Sequence, residues 1–180
     1  MCFVLFIQTF SALAEDKGSL PAPQTWTAFQ ETDYGATLYY PSNWFAEPEK
    51  KGNFFTFASL HDDAILTFRT YLDPLRIGAE ETAKKLKTSL GAHRIISLKQ
   101  ENMWYEAELN GDEYVLPGHA TKPVFKTFIR TVYSCKERIV SQISLTYPTS
   151  TGEQYEAMLK KLIRRFQQGV GSKTPVRDCS

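Results

Sequence analysis

The sequence lacks an excess of charge of either sign. Its 21 basic and 20 acidic side chains leave a formal net charge of +1 over 180 residues. Proteins that bind nucleic acid usually concentrate basic residues on one surface, because they must neutralise a row of phosphates. We therefore expect no nucleic-acid partner.

Motifs that accompany catalysis or metal binding are missing from the sequence. No serine lies in a Gly-x-Ser-x-Gly turn, and no glycine-rich phosphate loop is present. His61, His93 and His119 are far apart and show no His-x-His or His-x-x-x-His spacing. The run His61-Asp62-Asp63 has ligand types that suit a divalent cation, but a solvated turn is favoured because Asp is common in turns. We expect no catalytic residue, no cofactor and no metal, with an enzyme of unrecognised class as the alternative.

Uncharged apolar runs are short. Residues 1–14 carry no charge and are rich in Phe, Leu and Ile, but a helix needs about 20 apolar residues to span a bilayer. The run ends with the small residues Ala12 and Ala14, which signal peptidase accepts, and the polar Glu15 follows. These features predict a cleaved export signal at 1–14 and a periplasmic or secreted protein. No Lys or Arg precedes the run, so we expect the true start codon to lie upstream. A core segment or an uncleaved interfacial anchor stays an alternative.

Few cysteines are present. Cleavage after residue 14 would remove Cys2 and leave Cys135 and Cys179, and an even pair in an exported protein favours a disulfide. Cys135 falls in a predicted turn between two strands. If the last helix packs back along the second of these strands, the tail with Cys179 returns to that turn. The flanking Lys136 and Arg138 make a basic turn rather than a nucleophile signature.

The remaining sequence has the composition of one globular domain. Hydrophobic residues make up 42% and aromatic residues 13% of the protein. We assign a flexible leader to 15–25, one domain to 26–168 and a flexible tail to 169–180. Within the domain, period-2 runs and helical spacing predict these elements: strands at 26–31, 36–40, 53–60 and 64–72, a helix at 78–90, strands at 94–99, 103–109, 113–116, 124–133 and 139–147, and a helix at 151–167.

The last helix has the clearest pattern. Ser150 and Glu153 have the spacing of a capping box, and an apolar stripe follows at helical spacing. Its polar side carries four cations: Lys160, Lys161, Arg164 and Arg165. They form either a patch that binds an anionic partner or a solvated face favoured by the helix dipole.

A strand and turn near the start of the domain have a distinct sequence. Gly35 allows entry into a strand that ends at Tyr40-Pro41, and Trp44 follows directly after the turn. We expect Tyr40, Pro41 and Trp44 to be structural, with Trp44 buried and the turn holding the sheet in register.

The motif Tyr-Gly-x-x-Leu-x-Tyr-Pro-x-x-Trp is followed by a hairpin, a helix, several strands and a closing helix after Leu-Thr-Tyr-Pro. In this order, about residues 26–168 resemble the PsbP/Mog1-like α/β superfamily, including its exported bacterial DcrB/LpqN-like members. The resemblance implies an α+β fold, in which helices flank an antiparallel sheet, used as a binding or accessory scaffold.

These observations predict an exported, non-enzymatic binding or accessory protein of the bacterial envelope, with a protein partner. One alternative is a membrane-surface or cell-wall-associated protein that binds through the basic side of the last helix. An enzyme is the other.

Overall fold

The computed structural model describes residues 22–23, 25–61, 63–90, 94–110 and 124–171. The predicted export signal, the strand at 113–116, His93, His119 and Cys179 lie outside the described residues. Within them, the protein forms nine strands and two α-helices. In sequence order these are β1 (Trp26–Gln30), β2 (Thr37–Pro41), β3 (Glu49–Lys51), β4 (Phe54–Ala58), β5 (Ile65–Leu72), α1 (Gly78–Leu90), β6 (Ile95–Glu101), β7 (Trp104–Asn110), β8 (Phe125–Ser134), β9 (Ile139–Pro148) and α2 (Gly152–Arg165).

Seven of the strands form one antiparallel sheet in the order β3-β4-β5-β9-β8-β7-β6. The last strand, β9, lies between β5 and β8 and pairs with each along its length. The other two strands, β1 and β2, form a separate antiparallel hairpin. The centre of the sheet is therefore built by residues far apart in sequence.

The two helices lie on opposite faces of the sheet. In β9, Ile143, Leu145 and Tyr147 are at most 1% exposed and belong to the core that includes α2. Val140 points the other way and packs in the cluster that contains Ala83 of α1. Because successive strand residues point to opposite faces, we name these the α2 face and the α1 face.

Each helix covers part of its face. α1 packs against β6, β7 and β8, whereas α2 packs against β9 and against β2 of the hairpin. The α1 face over β3–β5 and the α2 face over β6–β7 carry no helix among the described residues. This arrangement is the predicted α+β architecture of an antiparallel sheet flanked by helices, which is confirmed.

The predicted elements agree with the structure except at three places. The helix at 78–90 is confirmed, and α2 lies within the predicted 151–167. The predicted capping box at Ser150 is wrong. A 3-10 turn occupies Thr149–Thr151, and Thr151 takes the N-cap position of α2, where no side chain forms a capping hydrogen bond. Strand β3 is the second difference, since no strand is predicted there. All three of its residues are charged and exposed, so no apolar pattern marks it.

The third difference concerns the tail. Residues 169–171, predicted to begin a flexible segment, are bonded to the domain. The Gly169 nitrogen donates to Ser141 Oγ at 3.2 Å, and the nitrogens of Val170 and Gly171 both donate to the Tyr34 carbonyl oxygen at 3.0 Å. A hydroxyl of β9 and a backbone carbonyl of the β1–β2 turn therefore hold these three residues, and the flexible tail at 169–180 as a whole stays a prediction.

The Tyr40-Pro41-Trp44 segment is buried. Tyr40 is 3% and Trp44 2% exposed. The rings of Trp44 and Tyr155 of α2 pack edge to face, with their centres 5.4 Å apart. Pro41 pairs with Trp26 in the separate hairpin. The register that this segment sets is therefore that of β1 and β2 rather than of the main sheet. Trp44, in the turn after β2, joins the hairpin to α2.

Candidate functional site

Four cations lie along the solvent side of α2. Lys160, Lys161, Arg164 and Arg165 are all exposed, and we call them the basic face. Their i, i+4 spacing places Lys160 beside Arg164 and Lys161 beside Arg165, and such like-charge pairs destabilise a helix slightly. Arg165 Cζ lies 5.0 Å from the centre of the Trp26 ring. None of the ion pairs between described residues includes a member of the basic face.

The apolar side of α2 is used by the core. Tyr155, Met158, Leu159 and Leu162 are at most 4% exposed. An interfacial helix must insert its apolar side among lipid chains, and this side is not available. The basic face can therefore attract anions by charge, but it cannot insert into a bilayer without opening the core.

A second group lies on the uncovered part of the α2 face. Arg130 of β8 forms an ion pair with Glu106, its partner in the β7–β8 register, and Arg130 Cζ lies 4.7 Å from the Trp104 ring centre. The Trp104 indole N–H donates to Glu101 at 3.0 Å. An aromatic residue flanked by acids suggests an exposed contact, but the structure half-buries Trp104 among these partners. The ion pair, the ring contact and the indole bond hold the group together, while the buried Nε of Arg130 has no hydrogen-bond partner among the described residues.

An acidic cleft of about 520 Å³ lies at the start of α1. Glu80, Glu81 and Glu137 line it together with Gln100 and Asn102. The Glu137 carboxylate sits so close to Gly78 that a Cβ there would lie 2.6 Å from its Oε1. Among the described residues, no group of three or more His, Cys, Asp or Glu side chains is arranged to hold a metal ion. The cleft could attract a cationic group from solvent.

The β4–β5 turn, where His61 lies, is held by structural hydrogen bonds. Asp63 Oδ1 accepts from Ser59 Oγ and from the Tyr155 hydroxyl, both at 2.7 Å. The His61 backbone N–H donates to Ser59 Oγ at 3.1 Å. Burial, together with the bond to Asp63, raises the pKa of Tyr155. Asp63 therefore joins this turn to α2, while Asp62 lies outside the described residues.

Cys135 lies in the β8–β9 turn, as the sequence predicted. Cys135, Lys136 and Glu137 all have positive φ values, of 54°, 52° and 67°, a conformation that residues other than glycine adopt at some cost. The Cys135 sulfur is part of a disulfide and lies 3.7 Å from the Val170 carbonyl oxygen. Because Cys179 lies outside the described residues, the Cys135–Cys179 pairing stays a prediction. The contact with Val170 places the beginning of the C-terminal segment beside Cys135.

The architecture defines the class of fold. A seven-stranded antiparallel sheet, one helix on each face and a two-stranded hairpin packed on α2 make up the PsbP/Mog1-like α/β fold, as the sequence resemblance indicated.

Comparisons with solved structures show the same fold. The protein is similar to a crystal structure of a protein from Bacteroides thetaiotaomicron VPI-5482, with a TM-score of 0.56 and 14% identity. The match covers 81% of this chain and 49% of the Bacteroides chain. It is similar to cyanobacterial PsbP (CyanoP) of Synechocystis sp. PCC 6803, with a TM-score of 0.52 and 12% identity over 84% of this chain and 96% of that one. It is also similar to the Ran-binding protein Mog1p of Saccharomyces cerevisiae, with a TM-score of 0.51 and 9% identity over 80% and 96% of the two chains.

The likeness is one of fold, because all three identities are below 15%. No family model and no curated protein matches the sequence. Within the described residues, no helix is both long and apolar enough to cross a membrane.

Proposed function

We propose that this is an exported, non-enzymatic binding or accessory protein of the bacterial envelope, and that its partner is a protein. The observation that carries the proposal is the incomplete cover of the sheet. Each helix leaves strands of its own face without a helix among the described residues, and some side chains there are exposed. Ile65, which is 52% exposed on the α1 face, is one of them.

The shared fold gives a second, weaker support. The Mog1p structure is that of a Ran-binding protein, so a scaffold of this shape can serve protein recognition. The export part of the proposal is based on the uncharged apolar run at 1–14 and the small residues Ala12 and Ala14.

Two measurements test the proposal. The full-length protein with a C-terminal tag is produced in its own cells, which are fractionated, and the first residue of the tagged protein is sequenced. We expect a protein that begins at Glu15 outside the cytoplasm; a cytoplasmic protein that retains Met1 would overturn export. The tagged mature protein is then purified from the envelope after mild cross-linking. A stoichiometric protein partner is expected, and a monomer without one overturns the protein partnership.

The basic face favours a second candidate function, binding to an anionic membrane or cell-wall surface. Its cations are exposed and lack ion-pair partners among the described residues. Because α2 cannot insert, such binding would be electrostatic and would weaken as salt screens the charges.

Sedimentation with anionic vesicles at low and high salt tests this candidate. Low-salt binding should be abolished when the four cations of the basic face are all replaced by Glu: Lys160, Lys161, Arg164 and Arg165. Reversal of Lys84, Lys85 and Lys87 of α1 is the matched control, because these cations lie on the helix of the opposite sheet face. Equal loss in both variants would show that net charge, rather than the basic face, is responsible.

A further inference from the structure

Arg69 lies in the middle of β5, on the part of the α1 face that α1 leaves open. It pairs in register with Gln142 of β9, whereas α1 packs against β6, β7 and β8. The open part of this face also carries Phe54, 38% exposed, and Ile65, 52% exposed. A half-buried cation is therefore set on an accessible surface that includes exposed apolar side chains.

The guanidinium of Arg69 is held in one orientation. Its Cζ lies 4.7 Å from the ring centre of Phe54 and 4.8 Å from that of Tyr71. Its Nε donates to Gln142 Oε1 at 2.7 Å, and Gln142 Nε2 donates to Thr131 Oγ1 at 3.0 Å. Thr131 is 1% exposed, so this series of bonds ties the guanidinium to the sheet interior. Folding has already immobilised the side chain, which lowers the entropic cost of binding through it.

The ligand-binding capacity of this guanidinium is largely unused. Its two terminal nitrogens carry four of its five N–H donors. No hydrogen bond or ion pair between described residues uses them. Glu49, an acid on the same face, is paired with Lys51 at 3.4 Å. The planar fork of Arg69 is left for an external acceptor.

Charge balance decides which acceptor fits. One guanidinium neutralises one negative charge and bonds a carboxylate through two parallel N–H···O bonds. A phosphate monoester carries close to two charges and would need a second cation. Lys51 lies on this face, but Glu49 beside it, 3.4 Å away, cancels its charge. Neutral groups that form hydrogen bonds surround the site on the same face: Thr56, Thr67, Ser144 and Thr146. These groups suit the backbone of a protein segment.

We propose that Arg69 anchors a docking surface for the partner protein and binds one carboxylate of that partner, either an Asp or Glu side chain or a C-terminal carboxylate. Phe54 and Ile65 supply apolar contacts on the same surface. This inference rests on the proposed function, since it requires a protein partner, and it adds the place and the chemistry of recognition.

Site-specific photo-cross-linking in the producing cells tests it with the full-length protein. A photo-cross-linking residue replaces Thr67, a neighbour of Arg69 on the same face, and in a second protein it replaces Lys161 on the opposite face. We expect the Thr67 probe to capture a protein segment that contains Asp, Glu or a C-terminal carboxylate. Arg69→Lys keeps the charge but removes the fork, and should reduce this cross-link about tenfold or more. Arg164→Lys, which makes the same exchange at an exposed residue of α2 on the opposite face, is the matched control and should leave the cross-link unchanged.

The outcomes separate the two proposals. If Thr67 gives no cross-link while the tagged protein still recovers a partner, the Arg69 site is overturned and the binding function stands. If neither method recovers a partner, the binding function is overturned. A captured segment without a carboxylate, or an unchanged yield in Arg69→Lys, would overturn carboxylate recognition.

A second measurement covers the case in which Arg69→Lys unfolds. Two synthetic peptides, one a copy of the captured segment and one with its carboxylate amidated, are added as competitors of the partner. The yield of the cross-link to the protein with intact Arg69 is then measured. The acidic copy should displace the partner and the amide copy should fail. Equal competition by the two peptides would overturn the inference.

Discussion

The hydroxyl group of Tyr155 donates a hydrogen bond of 2.7 Å to Asp63 Oδ1, although the two residues are 92 positions apart. This bond joins the turn between β4 and β5 to α2, across the edge of the main core. The same carboxylate oxygen accepts from Ser59, and the Tyr155 ring packs against Trp44 and Tyr147. One phenol therefore connects a turn, the helix and the hairpin segment.

Loss of this bond should destabilise the protein. Tyr155→Phe removes the hydroxyl and keeps the ring, and hydrogen bonds to charged groups contribute about 1.5–3 kcal/mol. We expect a decrease of this size in the free energy of unfolding, measured by urea denaturation. Tyr39→Phe is the control, because Tyr39 is half-exposed and no bond of its hydroxyl is found in the described structure. Equal effects of the two substitutions would contradict the role of Asp63.

Trp44→Ala should be among the most damaging single changes in the domain. Trp44 is 2% exposed and packs edge-on against Tyr155 at 5.4 Å. Removal of a buried Trp ring costs about 3–5 kcal/mol, because the cavity is only partly filled by relaxation. We expect a large decrease in the thermal midpoint. Trp104→Ala, at a half-buried position, should lower it less, and the reverse order would show that Trp44 is not a core residue.

Stability should fall in alkaline solution above pH 10. Burial raises the pKa of Tyr147 to about 12 from an ordinary value of 10.0, with a further contribution from Glu156, and burial also raises the pKa of Tyr133 and Tyr155. The folded state therefore favours the neutral phenols. Their contribution to stability is complete below pH 10 and is lost as the pH rises from 10 through the raised pKa values.

Thermal melts between about pH 8 and 12, with the ultraviolet absorbance of tyrosinate recorded in parallel, measure this loss. Some of the nine tyrosines should ionise only as the protein unfolds. Tyr147→Phe should make the decline less steep. Full reversible ionisation near the ordinary tyrosine pKa, without unfolding, would contradict the buried phenols.

The predicted Cys135–Cys179 disulfide is tested by thiol titration of the denatured mature protein. A bridge over a loop of about 40 residues stabilises by about 4 kcal/mol in the chain-entropy model. We expect no free thiol before reduction and two after it, with a lower thermal midpoint in reductant. Cys135→Ser and Cys179→Ser should lower the midpoint equally. Two free thiols before reduction would contradict the pairing.

The sequence predicted most of the elements because their signals are local. The spacing of Ala79, Ala83 and Leu86 indicates α1 wherever the helix docks, and alternation along β9 indicates two different faces. It missed β3, whose exposed residues Glu49–Lys51 form a strand because β4 lies next to them. It also placed the capping box at Ser150, which a 3-10 turn occupies instead.

The candidate sites also differ in how far the sequence could predict them. The basic face was predicted, because Lys160, Lys161, Arg164 and Arg165 are close in sequence and helical spacing groups them. Arg69 was not, although a charged residue inside an aromatic strand was a visible signal. Its partner Gln142 is 73 positions away, and Phe54 belongs to another strand.

The sequence by itself determined the two helices, the strand and turn around Tyr40 and Trp44, and the order of strands that marks a PsbP/Mog1-like fold. Those features follow from periodicity, turn residues and burial preference over short distances. The tertiary structure decided which parts of each sheet face stay open and which side chains meet there. The physical reason is the insertion of β9 between β5 and β8. This long-range pairing brings Arg69, Gln142 and Thr131 into one line, and the hydrogen bond to Gln142 uses Nε of Arg69 rather than its terminal nitrogens.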